Sequence, residues 1–116
     1  MLTVHHANAV LVIAVCVAAA GAALLARRRG ASGWVAHLIA LAQTLVIAQV
    51  GLGLLLLAEH KHAADRLHYA YGAFALFAVL APWLYAPDAP RKRLAWFAGA
   101  TLLAAALAVR AYMTAT

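Results

Sequence analysis

A chain of 116 residues that is 68% hydrophobic and only 10% charged, with a mean hydropathy of +0.92, stands far from a soluble domain, where roughly half the residues are apolar and a quarter charged. Four helices of about 20 residues, the length that crosses a bilayer, would consume roughly 80 positions, so these residues leave no space for an aqueous catalytic domain. Alternating apolar and polar residues are lacking, which excludes a transmembrane barrel, and the net charge of +6 points to nucleic acid only until the basic residues are located.

Four apolar segments are expected in chain order, at about 5–26, 34–58, 67–86 and 94–113. The first is followed, not preceded, by Arg27, Arg28 and Arg29, the reverse of a signal peptide, and reads as a retained helix. Its run Ala14, Ala18, Ala19, Ala20, Gly21, Ala22 and Ala23 permits close helix approach in lipid. The lone Cys16 has no partner for an intramolecular disulfide. The second segment carries His37 near its start, Gln43 and Thr44 in its middle, and Gln49, Gly51 and Gly53 in its second half. A glutamine in lipid needs a partner, and Gly53, one turn on, leaves space for a planar ring. The third segment opens on Leu67-His68-Tyr69 and the fourth carries Arg110 near its end. Trp34, Trp83, Tyr85, Trp96 and Tyr112 fall near segment ends and read as interface anchors. The connections, residues 27–33, 59–66 and 87–93, are short enough to make consecutive segments antiparallel neighbours.

The fold expected is therefore an all-α integral membrane protein, a single antiparallel four-helix transmembrane bundle over residues 1–116. Its surroundings would be the lipid bilayer of a cell (inner or plasma) membrane, crossed in several passes. Lys and Arg in short loops stay on the cytoplasmic side. Arg27, Arg28, Arg29, Arg91, Lys92 and Arg93 with Asp88 give the first and third connections +5; Lys61, Arg66 and Arg110 with Glu59 and Asp65 leave +1 on the opposite side. That bias sets both termini outside (N-out, C-out). It also reads the basic character as topology, with contact to anionic lipid as a second use and no nucleic-acid partner.

The histidines carry the chemistry. Five of six, His5, His6, His60, His62 and His68, fall on the outer side, and polar groups at membrane depth are costly and retained for function. His5 and His6 open the first helix and His68 the third, at one depth. In an up-down-up-down bundle these helices face each other diagonally across the core. Two inward imidazoles so placed can clamp a haem iron from both faces. Adjacent residues are about 100° apart on a helix, so only one of His5 and His6 points inward, and both stay open. His60 and His62 read as solvated loop residues, His37 as interfacial, and Tyr69 and Tyr71 as belt aromatics. Arg110, at histidine depth, with Lys61 and Arg66 opposite, suits haem propionates.

The string Gln49-Val50-Gly51-Leu52-Gly53-Leu54-Leu55-Leu56, then Leu67-His68-Tyr69-Ala70 after a short loop, resembles the haem A synthase family, with His5-His6-Ala7-Asn8-Ala9 in the place of that family's first ligand-bearing helix. The likeness covers roughly the first three helices. Family members are built from four-helix halves that each hold haem between two histidines, and this chain is about one half in size. The resemblance implies His5 or His6 and His68 as axial ligands, with Gln49 and Gly53 lining the pocket. Where the family's catalytic half has a glutamate one turn before its first histidine, this chain has Leu2 or Thr3, and the outer loop has no cysteine pair. The expectation is thus a b-type haem subunit for electron transfer or structure within a larger respiratory membrane complex. Other readings are a cofactor-free accessory or assembly subunit, copper or zinc bound by the outer histidines, and a half-size haem A synthase-like enzyme acting as a dimer. Partner subunits or a homo-oligomer follow from each, and an enzymatic role is the least supported.

Overall fold

The computed structural model describes residues 2–29, 33–61 and 65–114 and is all-helical. Helix α1 spans Leu2–Arg29, α2 Gly33–Ala58, α3 Leu67–Tyr85 and α4 Pro90–Thr114. All four are long and apolar enough to cross a membrane. Neighbours in sequence pack side by side, and α4 closes the ring against α1. The α2 and α4 backbones approach across one diagonal, while α1 and α3 stand apart across the other, as the short connections imply. The bundle measures 46 × 23 × 19 Å, its long axis about that of a bilayer with its headgroups, roughly 40–45 Å.

The helix ends differ from the sequence expectation. The fourth helix starts at Pro90, not near 94, so Arg91, Lys92 and Arg93 form its first turn instead of a loop. Proline is pre-set for the first helical position, where no N–H is needed, and Ala89 before it accepts the first helical bond, from Arg93 N at 2.8 Å. Similarly, α1 begins at Leu2 and continues through Arg29, and Arg27 and Arg28 near its end complement the helix dipole. Residues 30–32 of the first connection, and His62 of the second, lie outside the described residues.

One spacing organises the core. On α1 the buried positions His5, Ala9, Val12, Cys16, Ala19, Ala23 and Ala26 alternate steps of four and three. On α2 the same alternation runs through Val35, Ile39, Ala42 and Val46, then the half-buried Gln49 and Gly53, to Leu56. It recurs on α3 at His68, Gly72, Ala75, Val79 and Pro82, and on α4 at Phe97, Thr101, Ala104, Ala108 and Ala111. Such a seam is the contact of left-handed bundles, and small residues on it let backbones approach without a hydrophobic drive. The alanine run of α1 is split by it: Ala19, Ala20, Ala22 and Ala23 are buried, while Ala14, Ala18 and Gly21 face outward.

Polar side chains tie α2 to α3. Pro82 lies inside α3 and has no N–H for the turn before it. Beside it the buried Gln43 donates to the Val79 carbonyl at 3.4 Å and accepts from Trp83 Nε1 at 3.1 Å. Thr44 donates within its own helix to Ala40 O at 2.8 Å. Helix α2 ends with His60 at φ 63. Its N–H bonds Leu57 O at 3.0 Å and the Lys61 N–H bonds Leu56 O at 3.0 Å, a Schellman closure that satisfies two end carbonyls. Asp65 Oδ1 then accepts from Leu67 N at 2.9 Å and starts α3 one residue before His68.

Candidate functional site at the histidine level

The seam determines which histidine enters the core. His5 continues the four-and-three alternation of α1 and is only 6% exposed. His6, one position round the helix, is half-buried and meets the Tyr112 ring edge-on at 6.2 Å. From the diagonal helix, His68 brings its ring to 6.2 Å from that of His5, with the planes at 76°. The two histidines expected to face each other do so, and His5 is the inward one of its pair.

Each imidazole is oriented by a neighbour. His68 Nδ1 lies 2.7 Å from the carbonyl oxygen of Ala111, in the last turn of α4, where carbonyls have no helical partner. A carbonyl only accepts, so Nδ1 carries the proton and Nε2 keeps its lone pair free. On the other side Asn8 Nδ2 donates to Leu45 O at 3.2 Å and to Gln49 Oε1 at 3.0 Å. That turns the Gln49 amide nitrogen toward His5 Nε2, 3.5 Å away. His5 Nδ1 is buried with no hydrogen-bond partner among the described residues, an orphan of the kind that native interiors rarely tolerate without a ligand or water.

Two glycines shape the space. A Cβ on Gly53 would sit 3.4 Å from His5 Cε1, whereas one on Gly72 would meet nothing within 4 Å. Gly53 therefore makes room for the His5 ring itself, and Gly72 opens the α3 wall one turn beyond His68. The result is a cleft of about 720 Å³ running from His5, His6 and His68 down between α2 and α3, past Gln49, Gly53 and Gly72 to Leu84. This lies inside the range of about 300–1,000 Å³ typical of small-molecule and cofactor sites. Its walls are almost wholly aliphatic and aromatic, with Lys61 and Tyr112 at the polar end.

The other sequence candidates lie elsewhere. Arg110 is exposed, with its guanidinium 5.7 Å from the centre of the Tyr71 ring, and does not line the cleft. His60 closes the end of α2 and His37 is exposed. Among the described residues no three His, Cys, Asp or Glu side chains gather as a metal-binding group. Lys61 does reach the cleft, beside Glu59 at 3.7 Å. Three contributors escaped the sequence reading: Asn8, Gly72 and the Ala111 carbonyl. The seam would have found Gly72, four residues after His68; nothing local marks a backbone carbonyl. Comparisons with protein-family models, with curated proteins and with solved structures give no match for this chain.

Proposed function

We propose that this chain is a small multi-pass membrane subunit that holds a b-type haem between His5 and His68, on the outer side of a cell membrane, and serves electron transfer within a larger respiratory assembly. The observation that carries the reading is the diagonal imidazole pair. The His5 and His68 rings lie 6.2 Å apart, no closer in effect than His5 and His6 at 6.3 Å; what singles out His5 and His68 is that they stand on the inward seams of two facing helices, from which both imidazoles would reach one iron.

The residues fit such a group in three further respects. His68 has its second nitrogen committed to a backbone carbonyl, the arrangement that fixes tautomer and ring plane in metal-bound histidines. His5 Nε2 has the Gln49 amide nitrogen no nearer than 3.5 Å, a long contact that leaves its lone pair open to a metal. The cleft beside them is apolar and bounded by glycine on both helices. Haem held by two histidines supplies one-electron redox chemistry at its iron, with a potential set by ligand, burial and local charge. The chain's own part is to orient: Asn8 and Gln49 hold the His5 ring, Ala111 holds His68, and the aliphatic walls keep water away. Orientation with both ends outside rests on the basic residues at the other end, which favour the cytoplasmic face.

The test is the visible spectrum of the detergent-purified chain expressed with ample haem. A Soret band with sharp reduced bands is expected, lost in His5→Ala and His68→Ala and retained in His6→Ala. A colourless protein under the same supply sinks the proposal and leaves the cofactor-free accessory subunit.

A further inference from the structure

At the opposite end of the bundle a second cavity, of about 390 Å³, is lined by Leu24, Leu25, Arg27, Arg28 and Arg91. Two helices converge there, α1 with its last turns and α4 with its first. A bias of arginines toward one membrane face accounts for their number. It does not account for the gathering of three of them, from helices more than sixty positions apart in the sequence, around one hollow.

Among the described residues no ion pair reaches Arg27, Arg28 or Arg91, and only Asp88 and the negative end of the α1 dipole offset their charge. The ion pair found among the described residues, Lys61 with Glu59, is at the far end, and α4 has no acidic residue in its first turn. Arg27 Nε is buried without a hydrogen-bond partner, and a desolvated guanidinium N–H is costly until an acceptor reaches it. Arg93, two residues after Arg91, is engaged elsewhere: its guanidinium lies 5.5 Å from the Trp83 ring centre and 5.4 Å from that of Phe97. Arg91 stands in the opening turn of α4, at the positive end of that helix's dipole.

We propose that Arg27, Arg28 and Arg91 form a binding site for a phosphate group. Guanidinium forks match phosphate oxygens in pairs, and one of these three has a buried N–H without an acceptor among the described residues. The site closes one end of four membrane-long helices, at the depth of headgroups, and its remaining walls are the exposed Leu24 and Leu25. That combination favours the phosphodiester of an anionic lipid, its glycerol and upper chains against the leucines, over a soluble phosphate. The inference stands independently of haem at the other end.

Titration of the detergent-purified full chain with phosphatidylglycerol, phosphatidylcholine and inorganic phosphate, read by thermal shift and by lipid retained in native mass spectrometry, tests it. Saturable stabilisation by phosphatidylglycerol, with about one lipid retained, is expected, weakened about 30-fold in R27Q/R91Q and unchanged in R66Q. The charge-keeping pair R27K/R91K, which loses the forks alone, is expected to fall between, and it carries the test if R27Q/R91Q does not fold. Inorganic phosphate that displaces the lipid and stabilises as well would support the site and assign it to a soluble anion. Equal response to both lipids without phosphate binding, or titration curves of R27Q/R91Q and R27K/R91K that superimpose on the unsubstituted chain, would overturn it.

Discussion

Side-chain size separates a tolerated from an excluded change at Gly53. A Cβ there reaches 3.4 Å from His5 Cε1, the near edge of ordinary van der Waals contact, so Gly53→Ala is expected to keep the His5 ring in place and to change stability by less than about 0.5 kcal/mol. Gly53→Leu must drive the imidazole off the seam and is expected to cost about 1–3 kcal/mol as overpacking. Reversible unfolding in mixed detergent measures both. On the haem reading the alanine variant also keeps its Soret band and the leucine variant loses it. The same reasoning explains why Gln49 is placed four residues earlier. Its oxygen accepts from Asn8, which turns its amide nitrogen toward His5, so Asn8 fixes the amide and the amide helps place the ring.

Helix ends, not helix interiors, position the site. The α2–α3 connection must return the chain within a few residues so that His68 reaches the level of His5. It does so by a Schellman closure at His60 and an aspartate bond at Asp65. The left-handed conformation at His60, φ 63, costs a residue with a Cβ roughly 1–2 kcal/mol, and glycine little of that. His60→Gly is therefore expected to stabilise the bundle by about 1 kcal/mol and to raise the thermal midpoint with no change at the histidine pair. A lower midpoint would assign His60 a side-chain role that its exposure does not indicate. Further along, Gln43 bonds the Val79 carbonyl and the Trp83 indole on either side of Pro82, which ties α3 to α2 where the proline offers no helical N–H.

At the scale of the whole molecule the two ends are chemically opposite. One gathers histidines, amides and glycines around an apolar cleft; the other gathers arginines. The four helices, of 19 to 28 residues, are long and apolar enough to cross a membrane, and on the proposed reading the two ends face opposite sides of a bilayer. The proposal that the arginine end faces the cytoplasm rests on the distribution of positive charge. In a Cys16→Ala background, Lys61→Cys is expected to react with an impermeant maleimide in intact cells and Asp88→Cys only after lysis. The reverse pattern would overturn the orientation and place the histidine cleft on the cytoplasmic face. Removal of Cys16 is mild for this purpose, since it is a buried free thiol on a seam built largely of alanine.

Four spans, their order, their antiparallel neighbours and the diagonal relation of the first and third are legible in the residues alone, because apolar length and short connections admit few arrangements. The choice between His5 and His6 was legible only in part. A chain apolar on every side of its helices shows no amphipathic face, and the inward side is marked instead by the four-and-three spacing of small residues, which extends to His5, Gln49, Gly53 and His68 once it is followed to the helix ends. Tertiary structure alone decided the rest. The carbonyl that orients His68 comes from 43 positions away, the amide facing His5 from 44, and Arg110 turned to Tyr71 instead of the cleft. Partners of this kind depend on which backbone and side-chain atoms meet across separate helices, and those meetings are set by packing between helices, not by any local run of residues.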